Sequence, residues 1–280
     1  MNQELTKVSV ATIKECCDLR GQPTLPCEHR LHSYCLTDEK IRGDYARIPL
    51  SSIKTGGNDV TKQREGLFTT VKWLSKLMSG EVACQWPFWF KTHYTGYATI
   101  PPDSGLAKWN MDHTLLLDEL CRERLLLCET TFRETQNDFK VRLRMGITIS
   151  GKPDLVAMNA KGDCTIWDCK TGIARTSDVV QVMLYMMFLP YGKKFYQGKE
   201  LSGCLIYKNG NKMPIPSGMI DDGFKSNIKH FLDGLNSATP LQKAPHPSEC
   251  LYCDLTKDDC PDRIDQTEKL AAIEESNPPF

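Results

Sequence analysis

Between Lys140 and Pro190 the residue pattern leaves room for one plan. Apolar side chains alternate over Val141, Leu143, Met145, Ile147 and Ile149, the period of a half-buried strand. Gly151-Lys152-Pro153 breaks that run. Asp154 to Met158 then predicts a second strand, Asn159-Ala160-Lys161-Gly162 a turn, and Cys164 to Lys170 a third strand. Ser177 is placed to cap a helix over residues 178–189 that Pro190 stops. A fourth strand follows from Gly203 to Tyr207. A tight turn at Asn209-Gly210-Asn211 leads to a fifth near residues 212–215, and a helix covers residues 221–235. This order describes an α/β fold with a mixed central sheet flanked by helices.

The flanks are less regular. Residues 62–78 predict a helix with Leu67, Val71, Leu74 and Met78 on one face and Gly80 as its stop. Residues 85–105 carry enough Pro and Gly to predict an irregular connection, and residues 112–128 predict a helix. The first 60 residues are turn-rich at Gly21-Gln22-Pro23 and Gly56-Gly57-Asn58-Asp59. The expected organisation is an N-terminal helical and irregular region (1–110), a core (111–240) and a cysteine-rich segment (241–280). A chain of 280 residues is long enough for a sizeable core. With 40% hydrophobic and 25% charged residues it is not a disordered chain. Lys plus Arg and Asp plus Glu both number 35, so no global field draws the chain to nucleic acid or to a membrane, although a local basic groove stays open. No apolar run approaches the ~18–20 residues of a membrane span. The first 17 residues lack the basic-then-apolar pattern of a secretory leader. A reducing, cytoplasmic setting without membrane attachment is therefore expected.

The central strands carry the chemistry. Residues two apart on a strand share a face, so Asp168 and Lys170 point one way while Trp167 and Cys169 point the other. The turn at 159–162 folds its two strands antiparallel and brings Asp154 toward Asp168. Two carboxylates supply hard oxygen ligands for Mg²⁺, the ion polarises a phosphate, and a lysine beside it steadies the developing charge. The Cys169 carbonyl is a further candidate ligand. The bland alternative is a surface ion pair worth about 0–1 kcal/mol. The apolar setting Thr165-Ile166-Trp167 argues instead for buried charges that are paired or metal-bound. Gln181 and Tyr185, four apart, share one helix face and either line the same cleft or sit on a helix surface. Arg142, Arg144, Lys152, Arg175, Lys193, Lys194, Lys208 and Lys212 are basic residues in the same region, each equally at home on a solvated surface. Trp86-Pro87-Phe88-Trp89-Phe90 could stack bases, but core packing is the commoner role for such a run.

Thirteen cysteines are unusual for a reducing compartment. Cys250-Leu251-Tyr252-Cys253 with Cys260-Pro261 has metal-site spacing. Three thiols need a fourth ligand, with His246, Cys16, Cys17, Cys27 and Cys35 as candidates. The spacing suits zinc and iron–sulfur alike. Cys84, Cys121, Cys128, Cys164, Cys169 and Cys204 read as core thiols.

Gly151-x-x-Asp154, Asp168-x-Lys170 and Gln181-x-x-x-Tyr185, in that order, resemble the PD-(D/E)xK nuclease core, and more closely its RecB-like branch. The predicted strand and helix order extends the likeness to roughly residues 110–235. The resemblance implies a restriction-endonuclease-like core and a DNase dependent on Mg²⁺ or Mn²⁺, acting as an exonuclease on single-stranded DNA or single-stranded ends. It makes Asp154 and Asp168 metal ligands, Lys170 the catalytic lysine, and Gln181 and Tyr185 an accessory pair. The branch often adds an upstream His in a GxxxH motif, where Gly66-Leu67-Phe68-Thr69-Thr70 has Thr. His113, Glu119 or Glu129 is the candidate substitute. The four-cysteine members, CRISPR-associated adaptation nucleases among them, imply a [4Fe-4S] cluster that staples the two chain ends. Here the set would be Cys27, Cys250, Cys253 and Cys260, since Cys27-Glu28-His29-Arg30-Leu31 matches their Cys followed by a basic residue and Leu. CRISPR integration proteins are the partners this implies. Alternatives are a stand-alone repair or phage-type exonuclease, an inactive zinc-stapled DNA-binding protein, and a redox-sensing iron–sulfur protein.

Overall fold

In the computed structural model, which describes residues 60–101 and 106–264, the chain runs β1 (Lys62–Gln63), β2 (Phe68–Thr70), α1 (Val71–Met78), α2 (Trp86–His93), β3 (Tyr94–Thr95) and α3 (Leu106–Leu126). It continues as β4 (Thr130–Arg133), β5 (Phe139–Arg142), β6 (Thr148–Gly151), β7 (Leu155–Met158), β8 (Cys164–Lys170) and α4 (Thr176–Gly192). The last elements are β9 (Leu201–Tyr207), β10 (Lys212–Ile215), α5 (Asp222–Asn236) and α6 (Pro247–Cys250). No helix among the described residues is long and apolar enough to cross a membrane.

The strands form a five-stranded sheet in the order β10-β9-β8-β7-β4, a three-stranded sheet β2-β6-β5 and the ribbon β1-β3. β8 is antiparallel to β7 and parallel to β9, with α4 as the crossover; β2 runs parallel to β6. The larger sheet is therefore mixed and carries helices on both faces. Alternation along β8 sorts its side chains. Cys164 and Ile166 join Val182, Leu184 and Leu189 of α4 in the main core. Trp167 and Cys169 join Leu116, Leu117 and Leu120 of α3 in a second core on the other face.

α4 lies tight against the strands because glycines stand where it crosses. A Cβ on Gly203 would come within 2.3 Å of Val182. A Cβ on Gly151 would meet the Phe139 ring at 2.5 Å and Tyr185 Cε1 at 2.9 Å. Both rings are buried. Gly151→Ala is expected to cost roughly 1–3 kcal/mol through overpacking. Urea unfolding measures it, and an unchanged midpoint would mean that the two rings yield without strain.

Four expectations are corrected. The run 140–149 is a hairpin, with Leu143 N–H donating to the Ile147 carbonyl and Gly146 at φ 95°; the apolar alternation simply continues through the turn. Within residues 62–78 only Val71–Met78 is helical. Phe68–Thr70 pairs with β6, and the Thr70 hydroxyl caps α1 by accepting from Trp73 N–H. Trp86–His93, expected to be irregular, is a helix with Pro87 in its first turn, where no N–H is required. Pro190 lies inside α4 rather than ending it, and Arg175 rather than Ser177 is the N-cap, its N–H donating to the Asp178 carboxylate at 3.0 Å.

Candidate active site

The register of the β7–β8 pair sets Leu155 opposite Trp167, so Asp154, one residue earlier, faces Asp168. Asp154 Oδ2 accepts the Cys169 backbone N–H at 2.7 Å and meets His113 Nε2, from α3, at 3.2 Å. Asp168 is 2% exposed, and its Oδ2 lies 2.6 Å from Lys170 Nζ. Lys170 Nζ also stands 3.4 Å from Asp178 Oδ1 and donates to Gln181 Oε1 at 3.1 Å. The Gln181 amide nitrogen donates to Tyr185 Oη at 3.0 Å and to Asp168 Oδ1 at 3.4 Å. Asp168, Lys170, Gln181 and Tyr185 thus form one bonded cluster, and the Asp154–His113 pair stands beside it through the Cys169 backbone N–H.

Burial governs its electrostatics. Desolvation raises the Asp168 carboxyl pKa, with Asp154 and Asp178 adding to the shift and Lys170 opposing it. Burial works against the charged Lys170 amine, but Asp168, Asp178 and Asp154 outweigh it and hold its pKa above the ordinary lysine value. The hydrogen bond to Asp154 raises the His113 pKa, favouring imidazolium. Burial pushes the Tyr185 phenol up as well, so it stays protonated. Asp168 therefore has a cationic side chain against it, and Asp154 has the His113 imidazole.

No three His, Cys, Asp or Glu side chains among the described residues stand close enough to ligate one ion as they are placed. The chemistry of the set fits nonetheless. Asp154 and Asp168 are hard oxygen donors, and Asp168 Oδ2 is buried without a hydrogen-bond partner beyond its ion contact with Lys170. A cation beside it would also offset the desolvation that raises its pKa. The Cys169 thiol is buried in the α3 core, as expected of a core thiol, and its backbone N–H donates to Asp154. Glu119 is exposed on α3, and Glu129 faces Arg124 at 3.7 Å.

Beside Asp154 opens a cleft of about 880 Å³, lined by α1, the β5–β6 hairpin, Gln181 and Tyr185. Asp178 is a member of the site that sequence reasoning missed. Its signal was its place three residues after Arg175, a capping position whose carboxylate also reaches Lys170.

A second cluster lies at the C-terminal segment. Cys250 and Cys260 are buried and Cys253 is half-buried. With them stands Cys84, expected only as a core thiol. Burial raises the Cys84 pKa, and Glu249, Cys250 and Cys253 add to it; burial also raises Cys260, with Cys253, Cys84 and Cys250 contributing. None of the four is in a disulfide. Glu249 fixes the approach by accepting the N–H groups of Ala83 and Cys84 at 2.9 and 3.0 Å, and Ala244 N–H donates to Cys84 Sγ. Arg263 donates to the carbonyls of Cys253 and Leu255. Four unbridged thiols are a donor type and number that suits a soft metal, but as placed no three of them stand close enough to ligate one ion. Cys27, Cys16, Cys17 and Cys35 lie outside the described residues.

A family model described as the PD-(D/E)XK nuclease superfamily matches residues 85–260. No curated protein was found to match the chain. Among solved structures, the chain is similar to one titled "Crystal structure of SSO0001", at 17% identity, covering 73% of this chain and 90% of that chain with a TM-score of 0.43.

Proposed function

Because this chain belongs to the PD-(D/E)XK nuclease superfamily, we propose that it hydrolyses DNA phosphodiester bonds with Mg²⁺ or Mn²⁺ held by Asp154 and Asp168, and with His113 as a third ligand. The observation that carries this is the placement of Asp154 beside the buried Asp168 and Lys170 on adjacent strands, with Gln181 bonded to both Asp168 and Lys170 and Asp154 held by the Cys169 N–H. A bound divalent ion supplies Lewis-acid polarisation of the phosphate and a more acidic water. The chain's own residues do the rest. Cys169 N–H fixes the Asp154 carboxylate. Gln181 holds Asp168 and Lys170 in one geometry and is itself anchored on Tyr185. Lys170, kept charged by Asp168 and Asp178, presents an ammonium to the negative charge that grows on the phosphate as it is attacked.

The preferred substrate in this reading is a single strand or a single-stranded end, cut as an exonuclease. Cys84, Cys250, Cys253 and Cys260 hold a [4Fe-4S] cluster or a zinc ion, Cys84 taking the place expected of Cys27. Their place in one neighbourhood, fixed by Glu249 on the Ala83 and Cys84 N–H groups, and their freedom from disulfides support this part of the reading. The resemblance to four-cysteine adaptation nucleases supports iron–sulfur over zinc, and CRISPR integration proteins as partners.

The test is cleavage of end-labelled single-stranded DNA with Mn²⁺, using ends blocked and unblocked. Lys170→Ala is expected to lower kcat about 10²–10³-fold, the range for loss of one charge-stabilising donor, with Mn²⁺ still bound. Full activity in that variant, or none in the unaltered protein, removes the proposal.

A further inference from the structure

The cleft beside Asp154 is not electrically neutral along its length. Lys72 on α1 and Lys140 on β5 both line it, both are exposed, and neither has an ion pair among the described residues. Lys152, also on its wall, makes only a loose 3.7 Å contact with Glu134, both side chains being about half exposed, an arrangement of small energetic worth. Of the two acids on the wall, Asp138 is engaged by Lys193 at 3.2 Å and Asp154 belongs to the site itself. The positive charge continues behind the wall. Lys76, one turn beyond Lys72, has its pKa lowered by burial and then by Lys72, Arg175 and Lys91, with Glu81 as the smallest, opposing influence. Such a gathering of like charges is costly unless an anion neutralises it.

Size selects the anion. A cleft of about 880 Å³ falls in the ~300–1,000 Å³ range of pockets that enclose a single small ligand. It has room for a nucleotide or two of one strand. Building on the nuclease reading above, we propose that this cleft is the entry track for a single DNA strand, in which Lys72 and Lys140 each bind one backbone phosphate of the strand that leads to Asp154. Base identity is not read, because lysines meet phosphates as point charges. Lys152 and the start of α1 form the adjoining wall.

The test measures binding, not cleavage. Full-length protein is titrated, with Ca²⁺ in place of Mn²⁺, against a short fluorescein-labelled oligothymidylate and against a duplex of the same length over a salt series. Lys72→Gln/Lys140→Gln is expected to weaken single-strand binding about tenfold near ~0.15 M salt and to flatten the log–log salt slope by about 1.4, or ~0.7 per lost phosphate contact. Duplex binding stays unchanged. Lys225→Gln, an exposed lysine on α5, serves as control and leaves both parameters alone. An unmoved slope overturns the track. Equal loss for strand and duplex overturns it too, since a general basic surface would then be the explanation. A protein that shows the slope change but never cuts DNA keeps the track and loses the nuclease reading. One that cuts with an unmoved slope does the reverse.

Discussion

Asp168→Asn abolishes DNA cleavage: kcat falls about 10³-fold or more, while the folded protein persists. The magnitude follows from what the carboxylate does. Polarisation by a divalent ion is worth several kcal/mol of transition-state stabilisation, and each ~1.36 kcal/mol is a factor of ten. An amide cannot hold the ion as a carboxylate does, so Mn²⁺ affinity measured by calorimetry falls with kcat. The fold survives because Asn fills the same volume and Lys170 keeps Asp178 at 3.4 Å and Gln181 at 3.1 Å. Circular dichroism checks that survival. Cleavage by the variant at even a tenth of the normal rate would show that Asp168 is a structural partner of Lys170 and not a ligand.

Cys84→Ser produces the largest loss of stability. A structural metal contributes folding free energy outright, because the unfolded chain has no assembled site. Losing even ~4 kcal/mol lowers the melting temperature of a domain this size by about 10 °C. Cys84 precedes α2 while Cys250, Cys253 and Cys260 lie on and beyond α6, so the proposed metal site would close most of the described chain into one loop. Metal analysis of purified protein is the decisive readout: the variant retains none, whereas Cys121→Ser, in the α3 core, retains all of it. A brown protein that loses its colour in Cys84→Ser indicates iron–sulfur, and a colourless one with zinc indicates the other occupant. Equal metal content in the two variants removes Cys84 from the site.

Legibility from residues alone followed the physics of each element. β8 is observed over the predicted residues, 164–170, because alternation survives wherever each face of a strand meets its own core. That same alternation put Asp168 and Lys170 on the side of α4, and the 3.6-residue helical period put Gln181 and Tyr185 over them. His113 was visible as a candidate only, since nothing local distinguishes a histidine that turns inward to Asp154 from one on a helix surface. The β5–β6 hairpin was hidden because Leu143 and Met145 keep the strand rhythm through the turn. Cys84 escaped for a different reason. The C-terminal cysteines are more than 160 residues away, and proximity across that separation is a property of the packed molecule that no local pattern encodes. Asp178 carries a capping signal that is legible, but its second engagement with Lys170 is not.

That double engagement has a consequence for how the protein works when warm or strained. One carboxylate group closes the first turn of α4 with one oxygen and neutralises Lys170 with the other. Ser177, next to it, is pinned through both its N–H and its hydroxyl by Glu81, three residues ahead of Cys84. Helix ends are where unwinding begins. Fraying at this end would release the lysine from one of its two anions at the same moment. The stiffness of the reacting centre is thus anchored outside the pocket, at a helix terminus moored to the segment that carries the outlying thiol.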